Sequence, residues 1–149
     1  MKKLILILFS LSILSCTENT AQIDSQDLSI INFPQKWTLY KMTGRFIGSE
    51  ITGSDMAYQE YYIFNANNTF SKIRISEDRE IMAEGSYRID YSNEGIAYLL
   101  NYSIKSDIIE NCSGDNEEFL YLDPSKTTLL SSWWSCDGPG LFYQQVPIE

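Results

Sequence analysis

Between residues 35 and 146, apolar and polar side chains alternate with a period of two, and Gly, Asn, Asp and Pro break the alternation at short intervals. That is the pattern of half-buried strands joined by tight turns. In residues 81–91, Ile81, Ala83, Gly85, Tyr87, Ile89 and Tyr91 share one face, while Met82, Glu84, Ser86, Arg88 and Asp90 share the other. A helix would scatter both sets around its axis. The same reading gives strands at 36–45, 58–65, 69–76, 95–103, 117–123, 127–134 and 141–146, eight in all with 81–91.

Most connections are short. Asn65-Ala66-Asn67-Asn68 tolerates positive φ, Ser92-Asn93-Glu94-Gly95 ends in Gly, Asp123-Pro124-Ser125-Lys126 places Pro at the second turn position, and Asp137-Gly138-Pro139-Gly140 is a run of breakers. Two intervals are longer, 46–57 and 106–116, and within the second, 106–111 could form a short strand. No helix of ten or more residues is predicted. An all-β antiparallel meander of eight strands leaves two exposed edges unless it closes, and closure into an up-and-down barrel removes them. The inward set then includes Tyr87, Ile89, Tyr98 and Leu100, bulky enough to fill a small barrel.

The N-terminus breaks the pattern. MKKLILILFSLSILSC has basic Lys2 and Lys3, an apolar run from Leu4 to Leu14 and a small residue, Ser15, before Cys16. Residues 1–15 read as a secretory signal, too short to remain as a membrane span. Ile13-Leu14-Ser15-Cys16 resembles the bacterial lipobox, which implies lipidation of the Cys16 thiol and cleavage just before it. Thr17 in place of Asp implies, by resemblance to lipoprotein sorting, an outer-membrane location. Residues 16–33 then form a lipidated, polar tether, and 34–149 the folded domain.

The order of several motifs carries a second resemblance. Trp37 at the start of the first strand, the hairpin Phe64-Asn65-Ala66-Asn67-Asn68-Thr69-Phe70, the strand Glu84-Gly85-Ser86-Tyr87 and the turn Cys136-Asp137-Gly138 before Phe142-Tyr143 together resemble the lipocalin-like lipoproteins of Bacteroidetes. The resemblance spans residues 34–146 and implies a barrel that binds a small apolar or aromatic molecule. Where the lipocalin signature has Gly two residues before the Trp, this chain has Gln35.

Composition narrows the chemistry. The 149 residues include 11 Lys and Arg against 20 Asp and Glu, a formal net charge of -9 that disfavours nucleic acid. Loss of the signal removes two of the basic residues and none of the acidic ones. His is absent, which removes the commonest general base and transition-metal ligand. No catalytic residue, metal site or cofactor is predicted, and the chain is read as a non-enzyme. Asp115, Glu117 and Glu118 beside Gly114 read as a solvated acidic loop, as do Glu77, Asp78, Glu80 and Glu84, because neither run has calcium-loop spacing.

With Cys16 assigned to lipid, Cys112 and Cys136 make an even pair for a disulfide. Three Asn-x-Ser/Thr sequons, at Asn67, Asn101 and Asn111, are fortuitous in a bacterial lipoprotein. Aromatic residues make up 13% of the chain and gather on the predicted strands. Trp37, Tyr87 and Tyr98 are the expected ligand contacts near one rim, and Trp133 and Trp134, as neighbours on a strand, cannot both face inward. Two functions stay open: a lipid-anchored module holding an apolar ligand in a barrel mouth, or an envelope interaction module with a self-filled barrel, its protein partner unspecified.

Overall fold

A computed structural model describes residues 32–148 apart from 45, 47 and 94. The signal sequence, Cys16 and nearly all of the tether lie outside the described residues, as does Arg45. The strands are β1 (Gln35–Thr43), β2 (Ile51–Thr52), β3 (Gln59–Phe64), β4 (Thr69–Ser76), β5 (Arg79–Ser92), β6 (Gly95–Tyr102), β7 (Glu117–Leu122), β8 (Thr128–Ser131) and β9 (Gly140–Val146). Each pairs antiparallel with its neighbour, and β1 pairs with β9, closing an eight-stranded up-and-down barrel. The two-residue β2 is an extra strand beside the far end of β1.

Closure satisfies every sheet edge except that short extension. Tight turns hold the register. Asn68, at φ 62°, completes the β3–β4 turn, in which the Asn65 amide donates to the Thr69 carbonyl at 2.9 Å. At the β7–β8 turn the Asp123 carboxylate accepts from the amides of Thr127 at 2.9 Å and Thr128 at 2.8 Å. Gly85 leaves room for the next strand: a Cβ there would lie 2.1 Å from the Asn101 carbonyl oxygen.

The inward face is the one the alternation predicts on β5 and β6, with Ala83, Tyr87, Tyr98, Leu100 and Tyr102 buried. Tyr91, expected on that face, is exposed, because the 14-residue β5 runs past the barrel rim. On β1 the pairing with β9 shifts between Leu39 and Lys41, so Trp37, Leu39 and then Met42 face inward. One extra residue in one strand has this effect.

The strand expected at 127–134 ends at Ser131. Ser132–Cys136 forms a 3-10 turn instead, capped by the Ser131 hydroxyl accepting from the Trp133 amide at 3.2 Å and ended by Asp137 at φ 73°. Trp133 packs against the core and Trp134 points outward, so their opposite fates follow from the turn and not from strand alternation. Nor is 106–111 a strand: it is an irregular segment whose Ile108 and Glu110 are buried.

The barrel has two unlike ends. The chain enters β1 at one end, which carries only short connections. The other carries the longer ones, 44–58, 103–116 and 132–139. There a disulfide joins Cys112 to Cys136, tying the 103–116 connection to the 3-10 turn before β9. Cross-linking a loop of this size removes denatured-state freedom equivalent to about 3.5 kcal/mol. Replacing both cysteines by serine is expected to lower the unfolding free energy by about that amount in urea titrations. The parent should gain two mass units on reduction, and two alkylatable thiols in the unreduced protein would exclude the bond.

Candidate functional site

Trp37, Tyr87 and Tyr98, the expected ligand contacts, come together inside the barrel near the end where β1 starts. The two tyrosine rings pack against each other and against a shared neighbour. The Phe64 ring lies 4.9 Å from both Tyr87 and Tyr98, and Phe33 lies 5.9 Å from Tyr87. Their polar atoms are used internally. Gln35 is buried and accepts from Trp37 Nε1 at 3.1 Å and Tyr98 OH at 3.2 Å. Tyr87 OH donates to the Asn65 carbonyl at 2.8 Å. This half of the barrel is a packed aromatic core.

The other half is filled by charge. Lys72 on β4 is 0% exposed, and its ammonium donates to the Ile108 carbonyl at 2.7 Å, Glu118 at 3.1 Å and Glu110 at 3.3 Å. Glu60 stands at 3.4 Å. Three N–H bonds and four acceptors saturate the ammonium. Arg74, two residues on, bridges Glu60 at 2.6 Å and Glu110, and its guanidinium stacks 3.8 Å from the Tyr58 ring centre. Phenols satisfy the remaining carboxylate lone pairs. Tyr143 donates to Glu60 at 2.6 Å, Tyr62 to Glu118 at 3.0 Å, Tyr58 to Glu110 at 2.7 Å, and Tyr102 also to Glu118.

Burial and ion pairing act against each other on Lys72, Arg74, Glu60 and Glu118. Burial opposes the Lys72 charge, yet the pull of Glu110, Glu118 and Glu60 outweighs it and holds the ammonium firmly protonated. Burial, then the neighbouring Glu110, raises Glu60 to about 7 despite Lys72 and Arg74. Burial likewise raises Glu118. The four phenols are pushed up, chiefly by burial, and stay neutral donors.

This cluster was missed in the acidic-loop reading of Glu118, which is fully buried. Asp115 and Glu117 do stay outside, Asp115 accepting from the Asn111 amide nitrogen at 2.9 Å and from the Glu117 backbone at 2.9 Å. Glu77, Asp78, Glu80 and Glu84 are exposed. A signal was present in the pattern. Glu60 shares its parity with Tyr62 and Phe64, Lys72 and Arg74 with Phe70, and Glu118 with Leu120 and Leu122.

Several open concavities lie on the outside of the barrel, one of them at the end with the long connections. A groove of about 550 Å³ runs beside the 3-10 turn, lined by Trp134, Phe142, Leu130, Gly138, Thr43 and Asp137. Trp134 is 61% exposed. The turn is held down because Gly138 presses on Trp133, where a Cβ would come within 2.4 Å of the indole. Phe142 is covered on one face by the Lys41 ammonium, 4.2 Å from its ring centre.

Compared with known protein families, with curated proteins and with solved structures, the chain matches none. Among the described residues no helix is long and apolar enough to cross a membrane. Nor does any group of three or more His, Cys, Asp and Glu among them have an arrangement suited to a metal ion.

Removing one partner of a buried ion network costs more than the network contributes, because the others stay buried without compensation. Lys72→Met, close to isosteric in its stem, is expected to lose about 3–5 kcal/mol of unfolding free energy in urea denaturation. A loss below 1 kcal/mol would mean that the carboxylates find other compensation.

Proposed function

We propose that this chain is a lipid-anchored cell-envelope protein, held at the outer membrane through Cys16, whose barrel fills itself and takes a small apolar or aromatic molecule in the outer groove beside Trp134. The observation that carries this reading is the contrast in exposure between the aromatic groups. Trp37, Tyr62, Tyr98 and Tyr143 are buried and hydrogen-bonded to the protein itself, whereas Trp134 stands in water over a groove within the size range of ligand pockets. The groove also sits at the end opposite the point where the tether joins β1, so an anchor would leave it free to meet a ligand.

A second reading, an envelope interaction module, draws on one more feature of that end. Phe46 and Ile104 are exposed on two of its connections, at 74% and 78%, and exposed aromatics and aliphatics of this kind serve as anchors in protein interfaces.

Titration of apolar fluorophores against tryptophan emission separates the readings. Groove binding predicts saturable quenching that Trp134→Ala weakens about tenfold or more. Tyr98→Phe, which removes only an interior hydroxyl, should leave it unchanged. The opposite ranking would place the ligand inside the barrel, and no saturable quenching would leave the interaction module. For the anchor, Cys16→Ser should move the protein from the membrane fraction to the soluble one, and retention in membranes would exclude it.

A further inference from the structure

The charges that belong to the barrel wall already balance. Lys72 and Arg74 on β4 face Glu60 on β3 and Glu118 on β7, two cations and two carboxylates, all with their charged ends inside. Glu110 is different, because it arrives on the 103–116 connection and is inserted as a third carboxylate that contacts both cations. The groups facing it from the surrounding elements are Tyr58, Glu60 and Tyr62, Lys72 and Arg74, Tyr102, Glu118 and Tyr143. The phenols are neutral. The closed interior therefore carries one surplus negative charge unless one carboxylate is protonated.

We propose that the 103–116 connection is a proton-linked latch: seating Glu110 in the barrel takes up one proton, and loss of that proton loosens the segment. Burying an uncompensated charge is costly, so uptake of a proton accompanies closure. Glu60 is the acceptor, since burial and the adjacent Glu110 raise it to about 7 against the pull of Lys72 and Arg74. The moving part of the latch is 104–111, because the next residue, Cys112, is tied by its disulfide to the 3-10 turn. Release would break the bond from Lys72 to the Ile108 carbonyl and uncover Ile108, which is now 1% exposed.

The direction follows from proton counting. With the segment open, Glu60 returns toward the ordinary carboxylate value of about 4.3. Between there and about 7 the closed state holds a proton that the open state lacks. Closure is therefore strongest in acid and weakens as pH rises through this window, by up to tenfold in the closing equilibrium per pH unit. Above about 7 neither state holds the proton, and the dependence levels off.

Hydrogen exchange on the full chain with its disulfide intact tests the latch. The opening constant of amides in 104–111, corrected for intrinsic exchange, is expected to rise severalfold per unit from pH 5 to 7 and then flatten. The 65–68 turn at the opposite end should show no such slope. Glu110→Gln and Glu60→Gln each remove the surplus charge, so a flat profile in either supports the latch. An opening constant for the parent that is constant within twofold from pH 5 to 8 overturns it, even where a variant fails to fold. So does a slope undiminished in both variants.

Discussion

A lysine ammonium buried at the middle of the barrel sets the terms for the rest of the structure. Lys72 has no access to water, so every bond it would have made to solvent must be made by the chain. Three carboxylates and a backbone carbonyl supply them, and each carboxylate needs donors of its own, which four tyrosines and Arg74 provide. The network draws on β3, β4, β6, β7, β9 and the 44–58 and 103–116 connections, so it cannot form until the barrel has closed. A slip of one residue in any of these strands would turn a charge or a phenol donor outward and leave its partners unpaired.

The same requirement decides much of what occupies the barrel interior. An eight-stranded barrel is just wide enough to hold side chains or one small ligand. Here one half of the interior is given to Trp37, Phe64, Phe70, Tyr87 and Tyr98, and the other to the ion network. Glu110 and Ile108 then enter from the open end and complete it. The disulfide stands where it limits the freedom of that entering segment, joining it to the turn that also carries Trp134. The interior, the plug and the outer groove are in this way mechanically connected at one end of the molecule.

Surface and interior use the same residue types for different work. Tyr61, one residue from the buried Tyr62, lies outside under the Lys36 ammonium at 4.4 Å. Trp133 and Trp134 divide in the same manner across a 3-10 turn. Gln35, on the inward face of β1, joins two interior aromatics through one carbonyl oxygen. In each pair the backbone direction, not the side-chain chemistry, decides which group meets water.

The alternating pattern determined that the chain is all-β, that it has eight main strands joined largely by tight turns, and which residues of β5 and β6 face inward. Those properties follow from the two-residue period of an extended backbone and from turn residues acting over a few positions, so they are written locally. The pairing of Cys112 with Cys136 was legible for the simpler reason that no other partner remained once Cys16 was assigned. Other features were decided only by closure. On β4, Ile73 and Ile75 compete with Phe70 to define the buried face, and the register opposite Tyr62 and Glu60 places Lys72 and Arg74 inside. Whether a charged residue is buried depends on partners 46 residues away, as for Lys72 and Glu118, and an alternation in one strand has no knowledge of them. The bulge in β1, the 3-10 turn after β8 and the insertion of Glu110 belong to the same class, because each is favoured by contacts between segments that only the closed barrel brings together.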